Sequence, residues 1–240
     1  MPPHPHNPLN LDKESSYYEF SRPEVIKEIT RLNLPCRRIL ELGCSTGATA
    51  RAIRELCQVD YYEGIELNAN AAQVAAERLN KVQIANLETS SPAALGLPVS
   101  GFDLLICLDI LEHLYDPWNI LSAYAECLQP GGHLLASIPN IQHLTILDGL
   151  VKGEWRYTTA GLLDATHLRF FTLGSIRELL SGAGLKIVSQ SMSFLNAVDL
   201  STLQDSGNQI RLGKLHLVDL NRQEVLQFLA YQYILVAQKL

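Results

Sequence analysis

The stretch Arg38-Ile-Leu-Glu-Leu-Gly-Cys-Ser-Thr-Gly47, followed about one βα unit later by Gly64-Ile-Glu66, constrains the fold more than any other part of the chain. Ile39 to Leu42 reads as a buried strand with one acid, Glu41, inside it. Gly43 and Gly47 allow a tight turn and close backbone approach, and Ala48 to Cys57 carries helical periodicity. Glu66 ends the second strand, where a carboxylate accepts hydrogen bonds from both hydroxyls of a ribose. The pattern describes a nucleotide pocket at the carboxyl end of an α/β sheet.

Two phosphate-binding alternatives fit less well. A dinucleotide fingerprint, G-x-G-x-x-G or A, sets backbone amides against a pyrophosphate at a helix N-terminus, whereas Gly43-x-Ser45-x-x-Ala48 lacks the middle glycine. A phosphate-cradling P-loop is excluded, because no G-x-x-x-x-G-K-[ST] occurs.

The remaining periodicity extends the same architecture. Val25, Ile26, Ile29 and Leu32 recur at helical spacing after Pro23, which suits a first helical turn. Strands are expected at 37–42, 60–66, 82–86, 102–108, 132–138, 185–193 and 231–239, with helices at 48–57, 70–79, 117–128 and 173–181. Asn70, three residues before Gln73, reads as a capping-box start, and Asp116-Pro117 as an N-cap followed by proline. Such alternation gives a Rossmann-like, doubly wound parallel sheet with helices on both faces. Residues 1–14 read as a disordered, proline-rich tail and 15–240 as a single domain with insertions at about 140–171 and 195–228. Within the second insertion Leu215, Leu217, Val218, Val225 and Phe228 suit a core, a lid or a dimer contact.

A net charge of −6 argues against a general nucleic-acid surface, which needs clustered Lys and Arg. No run approaches the roughly 18 apolar residues of a membrane span, and the start of the chain has no basic or apolar leader, so a cytoplasmic address is the expectation. Cys36, Cys44, Cys57, Cys107 and Cys127 show no C-x-x-C spacing and read as reduced core thiols. No metal-ligand cluster is evident in the sequence, so none is expected.

The spacing E-x-G-x-x-x-G at Glu41, Gly43 and Gly47 resembles the first motif of class I S-adenosylmethionine-dependent methyltransferases, with Ser45 where the usual form has glycine. Phe102-Asp-Leu-Leu-Ile-Cys-Leu-Asp-Ile-Leu-Glu-His-Leu-Tyr-Asp-Pro117 resembles the fourth-strand motif FD-x-x-x-x-x-D-x-LEH-x-x-DP of a large subgroup that includes the ubiquinone-biosynthesis O-methyltransferases. Pro139-Asn140, His143 and Gly161-Leu-Leu-Asp-Ala-Thr-His-Leu-Arg-Phe-Phe-Thr172 resemble the PN-x-x-H and THLRFFT segments of a less characterised bacterial subgroup. Tyr17, Tyr18, Phe20 and Arg22 resemble its Y-Y-x-x-x-R-P-E-V segment.

The resemblance implies a seven-stranded, mostly parallel sheet with an antiparallel last strand, S-adenosylmethionine as cofactor, S-adenosylhomocysteine as product, and methyl transfer to a small-molecule acceptor, most simply an oxygen nucleophile. It implies cofactor contacts from Tyr18, Arg22, Glu41, Gly43, Cys44, Ser45, Gly47, Glu66, Leu67, Asn86, Leu87, Leu108, Asp109 and His113. Asn86 replaces a common aspartate and still offers the adenine amino group a carbonyl acceptor. An aromatic face at Tyr17 or Tyr18 beside the sulfonium would add about 0.5 to 2 kcal/mol. The insertion at 140–171 is expected to cover the acceptor. His143, Asp164, His167 and Arg169 are candidate contacts there, and His167, His113 and His143 the candidate catalytic histidines. The competing role for Asp164, Thr166 and Arg169 is to hold the loop by hydrogen bonds. A non-catalytic cofactor-binding protein and a nicotinamide-dependent oxidoreductase remain as alternatives.

Overall fold

The computed structural model describes residues 22–194 and 209–240, with backbone alone at 204–205. The expected tail at 1–14 and the motif residues Tyr17, Tyr18 and Phe20, with the cofactor contact expected from Tyr18, lie outside the described residues.

β1 (Arg38–Leu42) pairs in parallel with β2 (Tyr61–Glu66) on one side and β4 (Phe102–Leu108) on the other. β3 (Lys81–Ile84) continues the sheet beyond β2, and β5 (Leu128–Pro139) lies beyond β4. β6 (Leu185–Ser193) forms the far edge, and β10 (Gln232–Lys239) inserts between β5 and β6, antiparallel to both. The order β3-β2-β1-β4-β5-β10-β6 reverses direction between β1 and β4. At such a switch point the connections leave to opposite faces and open a crevice at the carboxyl ends of the strands.

Period-two alternation sends each strand's side chains to two cores. Ile39, Leu104, Ile106, Leu135 and Ile234 pack with Val25 and Ile29 of α1 (Pro23–Leu32), Ala50 and Ile53 of α2 (Ala48–Leu56) and Ala75 of α3 (Ala69–Ala75). Leu40, Leu42, Leu105, Cys107, Leu134 and Leu235 meet Leu121 and Tyr124 of α4 (Pro117–Ala125) and Ile176, Leu179 and Leu180 of α6 (Leu173–Gly182) on the other face. This is the doubly wound architecture expected, with its antiparallel strand in place. All five cysteines are unpaired, and Cys36, Cys44, Cys107 and Cys127 are buried.

Several boundaries differ from expectation. α3 begins one residue early and ends four early, because its N-cap is Asn68 rather than Asn70: the Asn68 side chain accepts from the Asn70 and Ala71 amides at 3.0 and 3.3 Å. β3 ends at Ile84, so Asn86 sits in the loop beyond the strand. α4 stops at Ala125, and Gln129 to Gly132 lies within β5 as an irregularity, with Gly131 at φ 77° and a register shift against β4. The Asp116 cap stands, accepting from the Asn119 amide at 3.1 Å.

The two connections that interrupt the alternation pack on each other. α5 (Leu144–Val151) follows β5, while β8 (Ile210–Leu212), β9 (Leu215–Leu217) and α7 (Arg222–Leu229) precede β10, with β7 (Gln204–Asp205) pairing β8. Leu144, Ile210 and Val225 form a small third core with Leu215, Leu217 and Phe228 against it, while Val218 stays exposed. Buried Asn140 ties these pieces to the sheet, its amide donating to Gln227 O and Ala230 O at 2.8 and 2.7 Å.

Candidate functional site

The turn after β1 is fixed from β2: the Gly43 and Cys44 amides both donate to Ile65 O, at 2.8 and 3.1 Å. Gly43, Ser45 and Gly47 all lie at positive φ (70°, 51° and 75°). At Gly47 a Cβ would meet Leu79 Cδ1 at 2.6 Å, the movable end of a side chain, so it is the left-handed backbone angle that calls for glycine there. Ser45 bears the strain of a left-handed non-glycine residue, and its amide is compensated by donating to Glu66 Oε2 at 2.8 Å. Gly64, one strand over, leaves room for Cys44: a Cβ there would meet the thiol sulfur at 2.4 Å.

Glu66 is held at both oxygens, Oε1 accepting from the Asn68 amide at 2.8 Å. Glu41 is buried, accepts from the Tyr62 hydroxyl at 2.8 Å, and has its carboxyl pushed up to about 8 by burial. Asp109, just past β4, also sits at positive φ (49°). Its side chain accepts from the Ser137 hydroxyl at 2.8 Å and from the Gln232 amide, and forms an ion pair with Arg22.

Three cavities open along the carboxyl ends of the strands. The first, about 180 Å³, runs over Glu41, Gly43, Cys44, Ser45, Leu108 and Asp109, with Arg22 reaching across it. The second, about 330 Å³ and largely apolar, is lined by Ile65, Leu67, Asn86, Leu87, Ile110 and Leu168, and shares Glu66 with the first. The third, about 280 Å³, lies under the 140–171 connection and includes Asp109, Glu112, Asp164, His167, Tyr231 and Gln232. His113 lines all three.

This places nearly every expected residue within the described part of the chain. Asn86 lines the second cavity with its carbonyl accepting from the Glu88 amide at 2.9 Å, leaving a second lone pair for a ligand. Gly47 lines none of the cavities and serves the turn alone. His143 also lines none: it is fully buried, caps α5 with Nδ1 accepting from the Thr145 amide at 3.4 Å, lies 2.8 Å from the Thr145 hydroxyl through the same nitrogen, and sits edge-on to Tyr231 at 5.8 Å. Arg169 is turned away as well, donating to the Tyr115 and Leu168 carbonyls and lying over the Trp118 ring, which is the loop-holding role. Asp164 faces the third cavity while accepting from the Thr166 amide and hydroxyl at 2.9 and 2.7 Å, so it serves both roles.

Glu112 is the residue the sequence reading undervalued. Its main-chain carbonyl accepts from the Leu168 and Arg169 amides at 2.8 and 2.9 Å, docking the THLRFFT segment beside it. Its carboxylate is buried with neither oxygen hydrogen-bonded, and burial holds its pKa well above the usual carboxylate range. His113 and His167 stand edge to face beside it, ring centres 4.8 Å apart. Tyr231 and Gln232 went unnoticed as site residues, because a last strand carries no local sign that its first residues reach a cavity.

The geometry has known counterparts. The family described as "Methyltransferase domain" matches residues 17–190. The ubiquinone biosynthesis O-methyltransferase of Cereibacter sphaeroides is 27% identical over 209 residues, covering 83% of this chain and 80% of that protein. Among solved structures, a SAM-dependent methyltransferase from Archaeoglobus fulgidus superposes with a TM-score of 0.62 at 17% identity, covering 93% of this chain and 97% of that one. Magnesium protoporphyrin IX methyltransferase from Synechocystis, crystallised with S-adenosylhomocysteine, gives a TM-score of 0.59 at 15% identity, covering 93% and 84%.

Proposed function

The chain belongs to the methyltransferase-domain family and is an S-adenosylmethionine-dependent methyltransferase, and from that premise we propose that it methylates an oxygen nucleophile on a small-molecule acceptor held beneath the 140–171 connection. One observation carries the reading. A ribose-type carboxylate, an apolar slot and a polar acceptor-sized cavity meet at a single side chain, His113.

The cofactor fits the residues present. Glu66, rigidly held, suits the ribose hydroxyls, while Leu67, Asn86 and Leu87 suit the adenine. Glu41 and Asp109 face the first cavity, where a cationic methionine end gains from nearby carboxylates. When bound, S-adenosylmethionine supplies an electrophilic methyl on a sulfonium sulfur. The protein's contribution is mainly positional: fixing acceptor and donor in a near-attack arrangement is worth about 7 to 11 kcal/mol. Asp109 is prepared for that work by three contacts, to Arg22, Ser137 and Gln232, so it needs little reorganisation when the cavity fills.

The third cavity is lined by the acidic residues Glu24, Asp109, Glu112 and Asp164 against one guanidinium, Arg22. That lining disfavours an anionic acceptor. His167 and His113 are the groups near enough to take or steer an acceptor proton. The fold and composition also support a single domain in the cytoplasm acting on a small molecule.

Two measurements test the reading. Calorimetry should give micromolar binding of S-adenosylhomocysteine, weakened by at least about tenfold in Glu66→Ala, with NAD silent. Labelled methyl should then appear on hydroxylated acceptors. Methylation of amines alone would sink the oxygen assignment, and tight cofactor binding with no turnover on any acceptor would sink catalysis itself.

A further inference from the structure

We propose that Gln232, on the last strand, is a positioning residue for the cofactor: it holds the Asp109 carboxylate so that one oxygen is kept for cations and receives the ammonium group at the amino-acid end of the ligand. The inference deepens the methyl-transfer reading and rests on it. Nothing in the family match assigns this role, because the match ends at residue 190 and Gln232 lies beyond it on β10. The geometry divides the two oxygens of Asp109 between different kinds of donor. Oδ1 accepts from the Ser137 hydroxyl at 2.8 Å and from the Gln232 side-chain amide, both neutral. Oδ2 makes the ion pair with Arg22. A carboxylate only accepts, so Gln232 turns its NH2 and not its carbonyl toward Asp109, which fixes the orientation of the amide.

With two neutral donors on Oδ1, the carboxylate presents Oδ2 as the oxygen that meets cations: Arg22 and, when the first cavity fills, the ligand's ammonium group. The other supports of Asp109 come from a single residue of β5. Its amide donates to Ser137 O at 3.1 Å, and the Ser137 hydroxyl is the first donor to its side chain. Gln232 therefore ties the carboxylate to a second strand. It is buried, and its backbone is held from both sides, opposite Pro139 of β5 and Ser193 of β6, so its side chain starts from a fixed position. Without that donor Asp109 keeps its charge and loses its fixed direction, and a preorganised contact becomes one that has to be ordered on binding.

The test follows a pair of probes by calorimetry on the full chain. S-adenosylhomocysteine carries the amino-acid end, and 5′-methylthioadenosine has the same adenine and ribose without it. Gln232→Met, close in size but with no donor, should weaken S-adenosylhomocysteine by at least about tenfold and leave 5′-methylthioadenosine within about twofold of the parent chain. A general disturbance of β10 would weaken both probes alike, and that result overturns the proposal. The role acts through Asp109, so in an Asp109→Gly background, where glycine suits the left-handed angle of φ 49°, adding Gln232→Met should cost nothing further. A full further loss in that background overturns the proposal, as does unchanged affinity for S-adenosylhomocysteine in Gln232→Met alone. A parent chain that binds 5′-methylthioadenosine no more weakly than S-adenosylhomocysteine removes the amino-acid end from the argument and overturns this inference alone, whereas a parent chain that binds neither sinks the methyl-transfer reading with it.

Discussion

At the scale of single residues, Glu41 shows how a functional acid is kept at a cost. Its ordinary carboxyl value is 4.5, and burial, only partly offset by the Tyr62 hydroxyl, raises it to about 8 in the folded chain. Between those values the folded protein holds a proton that the unfolded chain has released, so stability is greatest at the acid end and falls as pH rises toward 8. Glu41→Gln, which still accepts from Tyr62, should flatten that part of the thermal midpoint's pH profile relative to the parent chain. An unchanged slope would show that Glu41 is not the group responsible. Because a cationic ligand favours the ionised carboxylate, affinity for S-adenosylmethionine should rise over the same window and lose that rise in the variant. The sequence made Glu41 visible through its place inside an apolar strand. It did not show Glu112 as anything but part of a motif, since an unsatisfied carboxylate is a property of the surroundings it meets after folding. Nor does the separation of His113 from His167 in the sequence signal that they meet; the docking of Leu168 and Arg169 onto Glu112 O and the contact of His113 Nδ1 with Thr166 O bring them together.

At the scale of elements, the strands and helices were legible wherever periodicity was long and capping chemistry explicit, as at β4 and the Asp116-Pro117 start of α4. Errors fell where two local signals competed: Asn68 and Asn70 both suit a cap, and the side chain that reaches two helix amides won. The short strands β8 and β9 were missed because three-residue strands leave almost no period to read. Gly64 was noticed for its place before Glu66, yet its work is to admit Cys44 so that β2 and the turn after β1 lie close. Gly64→Ala should therefore destabilise the protein by about 1 to 3 kcal/mol and weaken S-adenosylhomocysteine binding as well, since the displaced turn carries the Ser45 amide that holds Glu66. Denaturant unfolding and calorimetry on the same sample separate the two effects. A fully stable variant with normal affinity would show that the contact relaxes cheaply.

At the scale of the whole molecule, the sheet places its polar groups at one end. Loops after β1, β2, β3, β4 and β5 all contribute to the three cavities, and β10 adds Gln232 from the opposite direction. That arrangement was legible as a fold class, whereas the contribution of β10 was not, because it depends on which neighbours a strand finds. Within the sheet β6 pairs with β10 alone, and β5 relies on β10 for one of its two edges. Removing residues 232–240 should thus leave insoluble or molten protein rather than a slightly weakened enzyme, as judged by near-ultraviolet dichroism and solubility. A trimmed chain that stayed folded and bound cofactor would contradict this account of the sheet. The same strand sets a timetable for biosynthesis. A nascent chain can build β1 to β5 as they leave the ribosome, but the edge of β5 stays open and β6 waits for its partner until residue 239 has emerged, so the acceptor side assembles after the rest of the sheet.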